Sequence, residues 1–438
     1  MSFEWNKVTI GEVVESVIDN RGKTPPLTES GYELIEINAI VGKNRYPNYE
    51  KVSKFVSEDT YRTWFRKGHP QKDDLLISTV GSIGEVCLME RDRGCIAQNV
   101  IALRFHKKIA NSMFFYYFFS WEETKTRLKT LDIGSVQPSL KVPHLLSTNL
   151  LMPPIEEQAN IAAILSSLDD KLELNNAINK NLEEMAQALF KRWFVDFEFP
   201  NENGEPYKSN GGEFEESELG LIPKGWKVGR ATDIFDVQSG GTPKTSTSEY
   251  WNGEIPFFTP KDCSNSLYVI ETEKTITEDG LNNCNSKLYK TDTVFITARG
   301  TVGKVALAGR DMAMNQSCYA LVAKSGYTQK YVFHLTQQLV NVLRKNASGA
   351  VFDAITVSTF QNLKTTLPDI ELVRHFDGLV NGLYSLLLEK ANETQTLQQL
   401  RDTLLPKLMS GEIRVPVERD NSATELPMVA ESSAIYQP

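Results

Sequence analysis

The sequence predicts an α+β protein built by internal duplication: two homologous domains, each followed by a long amphipathic helix, in a pseudo-two-fold repeat. Three observations carry this expectation. The phrase ISTVGSIGEVCL at 77–88 returns as ITARGTVGKVAL at 296–307. Two leucine-rich segments follow prolines 153 and 368 and space their apolar residues by threes and fours. The remaining chain carries short strand-like runs, such as DLLIST, VIALRF, TVFITA and YALVA, broken by glycine turns.

The duplication extends beyond the glycine phrase. A slide of about 219 residues superposes the two phrases, and nearly the same slide sets NRGKTPP (20–26) on QSGGTPK (238–244) and IAQNVIALRF (96–105) on AMNQSCYALVA (313–323). Each block ends at a proline-marked boundary, LLMPPIEEQ at 150–158 and TTLPDIELV at 365–373. The expected domains are therefore 1–152 and 226–367, with a helix at 153–198, a linker at 199–225, a second helix at 368–411 and a disordered tail at 412–438, rich in Ser, Glu and Pro.

Within the first helix the apolar seam runs through Ile161, Leu165, Leu168, Leu172, Ile178, Leu182, Met185 and Leu189. In the second it runs through Phe376, Val380, Leu383, Leu387, Leu397, Leu400 and Leu404. Asn175 interrupts one seam where Lys390 interrupts the other, each 22 residues after its boundary proline, as polar residues do when they set register in a coiled coil. Burying the two seams against each other is the simplest solution; a helix bundle inside each domain is the alternative. A helix of some 40 residues runs roughly 60 Å, compatible with half-sites about 34 Å apart on one face of B-DNA.

The composition, 41% hydrophobic and 24% charged over 438 residues, suffices for two or three cores and excludes a disordered or fibrous chain. The net charge of −9 is uneven: segments 1–150 and 226–367 carry +2 and +3, whereas 151–225 and 368–438 carry −9 and −5. Acidity lies in the connectors, and the two blocks are mildly basic, which leaves local phosphate-facing patches open to them. No signal peptide is legible, and the apolar run MFFYYFFSW at 113–121 reads as a buried helix, being far shorter than a membrane span. Five cysteines, none in CxxC spacing, point to a reducing cytoplasm and to no metal site.

No catalytic set is legible. Gly300-Thr301-Val302-Gly303-Lys304 resembles the start of a phosphate loop, but Val305 stands where that loop needs a magnesium-binding hydroxyl. Met152-Pro153-Pro154-Ile155 lacks the polar and aromatic neighbours of an adenine methyltransferase motif. What recurs in both blocks is polar loop chemistry able to reach phosphates or base edges. In the first block the candidates are Arg21, Lys23, Thr24, Lys43, Asn44, Arg45, Ser82, Gln98, Asn99, Ser135 and Gln137. In the second they are Ser239, Thr242, Lys244, Lys261, Asp262, Arg299, Thr301, Lys304, Asn315 and Gln316. Each could equally be a solvated loop residue; their recurrence at matched places is what marks them as a set.

The second helix ends LRDTLLPKLMSGEIRV (400–415), the first ends ALFKRWFVDFEFP (188–200), and LGLIPKGWKV follows at 219–228. These phrases closely resemble the specificity (S) subunit of type I restriction-modification enzymes, over nearly the whole chain. The resemblance implies two target-recognition domains held apart by two antiparallel helices, each domain reading half of a split double-stranded DNA target. It also implies two modification (M) subunits docked on the helices, with S-adenosylmethionine bound there, and restriction (R) subunits using ATP and Mg. This chain would bind no cofactor and catalyse nothing alone. Arg192 stands where Ser is common in the family, and the tail after Val415 lies outside its pattern. A two-headed DNA-binding scaffold or repressor without such partners is the alternative expectation; a single-chain restriction enzyme would need a catalytic domain for which the length leaves no room.

Overall fold

A computed structural model describes residues 5–42, 44–130, 139–263, 266–324, 326–346 and 354–415, the side chains of 345 and 346 excepted. Candidates Lys43, Ser135 and Gln137 lie outside these residues, as do positions 416–438 of the expected disordered tail at 412–438; within its described start Arg414 Nε donates to Glu157 Oε1 at 2.7 Å. The chain divides into two compact units, 1–169 with 400–438, and 170–399.

The first unit is built on a four-stranded antiparallel sheet in the order Val14–Ile18, Val100–Phe105, Leu75–Ser78, Val86–Leu88. A smaller sheet orders Phe55–Val56, Tyr32–Ile35 and Cys95–Ile96. The second unit repeats the plan. Its sheet runs Phe235–Ser239, Cys318–Ala323, Val294–Thr297, Val305–Ala308, with Tyr268–Val269 added in parallel at the edge. Register repeats as well: Ile77 faces Ile101 as Ile296 faces Tyr319. Each domain is clasped by its own ends, Asn6–Thr9 pairing with Asn149–Met152 and Lys227–Arg230 with Lys364–Leu367.

The repeated glycine phrase is the turn between two of these antiparallel strands. Gly81, Gly84, Gly300 and Gly303 have φ of 81°, 84°, 80° and 78°, a conformation that costs side-chain-bearing residues energy. One strand hydroxyl closes each turn: Ser78 Oγ donates to the Ser82 carbonyl (2.5 Å) and accepts from Glu85 N (2.9 Å). Thr297 Oγ1 does the same toward Thr301 and Lys304. The apolar run at 113–121 forms the helix Ser112–Ser120, whose Phe114 through Phe119 are all buried.

Two helices dominate the chain's length. The first spans Ile155–Phe190 and passes into a π-turn at Lys191–Val195; the second spans Ile370–Ser410 and includes Pro406. They pair antiparallel within each unit. In the first, Ile161, Ala162 and Leu165 share a core with Leu408, Met409 and the half-buried Leu404. In the second, Leu182, Ala186 and Phe190 pack with Phe376, Val380, Tyr384 and Leu387. Both cores also take in domain side chains, so the helices pair with each other and roof their domains at once.

This double duty corrects the seam at two places. Met185 is 56% exposed and Leu400 44% exposed; Ala186 and Ala391, too small to mark a leucine stripe, are buried instead. Leu168, Ile178, Leu189, Leu383, Leu397 and Leu404 are half-buried, and Leu172 is buried. The two polar interruptions do meet, through a third residue: Glu393 accepts from Asn175 Nδ2 (3.1 Å) and Lys390 Nζ (2.8 Å), with Lys171 Nζ 3.4 Å away. Lys390 leads the charges and hydrogen bonds that hold the Glu393 carboxyl below its ordinary range.

Candidate nucleic-acid interface

Backbone hydrogen bonds gather three of the predicted clusters in each domain. In the first unit Leu140 N donates to the Thr79 carbonyl (2.8 Å) and Thr79 N to that of Asn99 (2.9 Å). Arg21 Nη1 reaches the Leu140 carbonyl at 3.3 Å. Segment 20–24, the glycine turn and residues 98–99 are thereby brought together. The second unit uses the same bonds at the matched places: Ile355 N to the Ala298 carbonyl (3.0 Å) and Ala298 N to that of Ser317 (2.8 Å). Gly241 N donates to the Met314 carbonyl (3.1 Å), and Thr242 Oγ1 donates to Gln316 Oε1. A Cβ at Gly240 would collide with the carbonyls of Met314 and Asn315, so only glycine lets this loop lie so close.

The gathered side chains differ in readiness. Lys23, Thr24, Asn44, Ser82 and Gln98 are exposed in the first unit, and Ser239, Thr242, Lys244, Lys261, Arg299, Thr301, Lys304 and Gln316 in the second. Arg21 is already engaged, gripping Asp19 through Nε (2.8 Å) and Nη2 (2.7 Å). Burial opposes the Asp19 charge, but Arg21 outweighs it and holds the carboxyl below its usual range. Lys261 pairs with Glu273 at 3.5 Å.

Several candidates are buried or engaged in local hydrogen bonds. Arg45 is 7% exposed, lies 5.2 Å from the Tyr46 ring centroid, and is withdrawn from the surface. Asp262 accepts from Thr259 N (2.8 Å), Thr259 Oγ1 (2.7 Å) and Glu273 N (2.7 Å), so its carboxylate is spent on shaping a turn. Asn315 Oδ1 likewise accepts from Ser317 N (3.0 Å), and Asn99 is half-buried beneath the Thr79 bond. Asn and Asp suit base recognition and tight turns for the same chemical reason, and sequence alone does not separate the two uses.

A patch in the first domain was missed. Asn20 donates to the Gly68 carbonyl (3.0 Å) and accepts from Lys67 N (3.2 Å), which moors the exposed Arg66-Lys67-Gly68 loop beside Arg21 and Lys23. Among the described residues neither Arg66 nor Lys67 is in an ion pair, although the Lys67 charge adds to Arg21 in holding the Asp19 carboxyl down. Next to them Tyr32, Tyr61 and His69 stack, with centroids 4.0 and 3.6 Å apart, and Trp64 is 37% exposed. Burial lowers the His69 pKa, which favours the neutral ring. The signal was legible as RTWFRKGHPQK at 62–72, cations interleaved with aromatics. Its counterpart, NNCNSKL at 282–288, has lost the arginines and rings.

Among the described residues no group of three or more His, Cys, Asp or Glu side chains could hold a metal ion, and no helix is long and apolar enough to cross a membrane. The thiols of Cys87, Cys95, Cys263 and Cys318 are free and buried.

Comparison with known proteins agrees with the duplicated plan. The family model described as "Type I restriction modification DNA specificity domain" matches twice, at 3–184 and 223–394. The MjaIX type I restriction enzyme specificity subunit of Methanocaldococcus jannaschii is 30% identical over 310 residues, 69% of each chain. The HindI specificity subunit of Haemophilus influenzae is 25% identical over 328 residues, 63% of this chain and 71% of the relative. A crystal structure of a type I S subunit from M. genitalium shares the fold, with a TM-score of 0.60 at 17% identity, covering 93% of this chain and 96% of that one.

Proposed function

Because the chain belongs to the type I restriction-modification DNA specificity family, we propose that it reads a two-part DNA target, one half with residues 1–152 and the other with 226–367. The observation that supports this is the pair of loop clusters held by the same backbone bonds but furnished with different side chains. Val80 and Arg299 occupy the same place in the repeated phrase, and the Arg66-Lys67 patch has no equal in the second block. One scaffold with divergent loops is what an asymmetric target requires.

In this reading Arg66, Lys67, Lys23 and Lys244 neutralise phosphates, while Arg299, Gln98, Gln316 and Thr242 reach base edges. The helices at 153–198 and 368–411 set the gap between half-targets and dock two modification subunits. Those subunits bring S-adenosylmethionine, and restriction subunits bring ATP and Mg; the complex works in the cytoplasm.

The test is methylation profiling of a host carrying this chain with its modification partner. Adenine methylation at one split sequence with a fixed gap is the expected result, and the chain purified alone neither methylates nor cuts DNA. Robust S-adenosylmethionine-dependent methylation by the chain alone overturns the reading.

A further inference from the structure

A cavity of about 310 Å³ in the second unit lies against the repeated glycine turn. Lys304 and Arg344 line it, together with Gln187, Gln337 and Asn341. Lys304 Nζ donates to the Cys263 carbonyl at 3.2 Å, and Arg344 Nη2 to the Gly303 carbonyl at 3.0 Å. Each bond fixes a cationic head while using one of several donors, for an ammonium has three N–H groups and a guanidinium five. Among the described residues no carboxylate lines the cavity and neither cation is in an ion pair.

The first domain treats the same places differently. Glu85 stands where the second domain has Lys304, and it pairs with Lys125 at 3.6 Å. Arg127 stands where Arg344 does, and its Nη2 donates to the Asn149 carbonyl at 2.9 Å. The first domain thus compensates its turn's charge internally, while in the second two cations line one cavity and, among the described residues, neither is in an ion pair.

We propose that this cavity is a binding site for a phosphate-class oxyanion, clamped between the Arg344 guanidinium and the Lys304 ammonium, with the three amides completing its shell. A planar fork and a point charge facing a tetrahedral anion is a recurrent way of holding phosphate. The ligand's source is either free phosphate, including phosphomonoesters, or a phosphodiester of bound DNA. The inference stands apart from the DNA-reading role, because its first test contains no DNA.

The full chain is titrated with inorganic phosphate against chloride at constant ionic strength, by calorimetry and by phosphorus NMR linewidth. Saturable binding is expected. Arg344→Gln should weaken it about tenfold, the loss of one charge-assisted contact. Lys304→Glu should abolish it, because it replaces one of the two cations that line the cavity with a carboxylate. Lys304→Gln serves as a second variant should the charge reversal disturb folding. Non-saturable binding, or equal binding by wild type and variants, overturns the proposal. A DNA duplex that displaces phosphate identifies the backbone as the natural source; undiminished phosphate binding in its presence identifies the free anion. Phosphate binding that survives in a chain unable to bind DNA would count against the DNA-reading role and leave the cavity's assignment intact.

Discussion

The Tyr384 hydroxyl lies 2.9 Å from Nε2 of His334, both side chains buried where the second long helix meets the helix Gln329–Asn346. At the matched places of the first unit the Tyr117 hydroxyl donates to Asp169 Oδ2 at 2.7 Å, and Arg401 Nη1 meets Asp169 Oδ1 at 3.0 Å. The duplication has kept a polar tie between domain and helix while changing its chemistry: a neutral pair in one unit, an ionic triad in the other.

That difference gives the second unit a buried imidazole whose protonation opposes folding. Burial drives the His334 pKa down to about 3 from 6.5. Between those values this ring binds more protons in the unfolded chain than in the native one, so its contribution to stability falls as pH drops below about 6.5, by up to about 1.4 kcal/mol per unit. Glu183, raised by burial from 4.5 to about 7, acts with the opposite sign between those values. The difference between wild type and His334→Gln therefore reads the histidine. In urea titrations the variant should be the less stable near pH 7 and lose that disadvantage toward pH 5. A difference independent of pH would mean that the ring does not titrate as its burial dictates.

The seam's unequal burial predicts unequal costs. Leu165 is fully buried, and Leu165→Ala should lose about 2–5 kcal/mol. Leu400→Ala and Met185→Ala, at 44% and 56% exposure, should change stability by about 0.5 kcal/mol or less. Chemical denaturation of the three variants checks the ranking.

Phosphate contacts and base contacts separate by salt and sequence. Arg66→Gln with Lys67→Gln should weaken DNA binding alike for all sequences and lower the salt slope by roughly 0.9 per lost phosphate contact. Arg299→Ala should instead change recognition of one half-target alone. Fluorescence anisotropy over a salt series, on cognate and half-substituted duplexes in the assembled complex, distinguishes them.

Four residues inserted after Asp169 and four after Gln399 keep Glu393 opposite Asn175 and lengthen both helices by roughly 6 Å. The tolerated gap between half-targets should grow by about two base pairs, with each half unchanged, as read by methylation profiling. An unchanged gap would show that the helices do not set the spacing.

Duplication, strand and turn positions, and the two long helices were legible in the sequence because each depends on local spacing: glycines where φ must be positive, apolar residues every third or fourth place, prolines at helix starts. The roles of particular polar side chains were not. Arg45 lies buried over Tyr46, Asp262 is consumed by a turn, and Arg66 and Lys67 are carried beside Arg21 by Asn20, some 47 residues away in sequence. Ala186 enters the seam and Met185 leaves it because each helix must face a partner and a domain together, and only packed side chains determine which face is shared. Local periodicity decides which elements form; burial and hydrogen bonding between distant segments, which no local pattern contains, decide which charges remain free to meet a ligand.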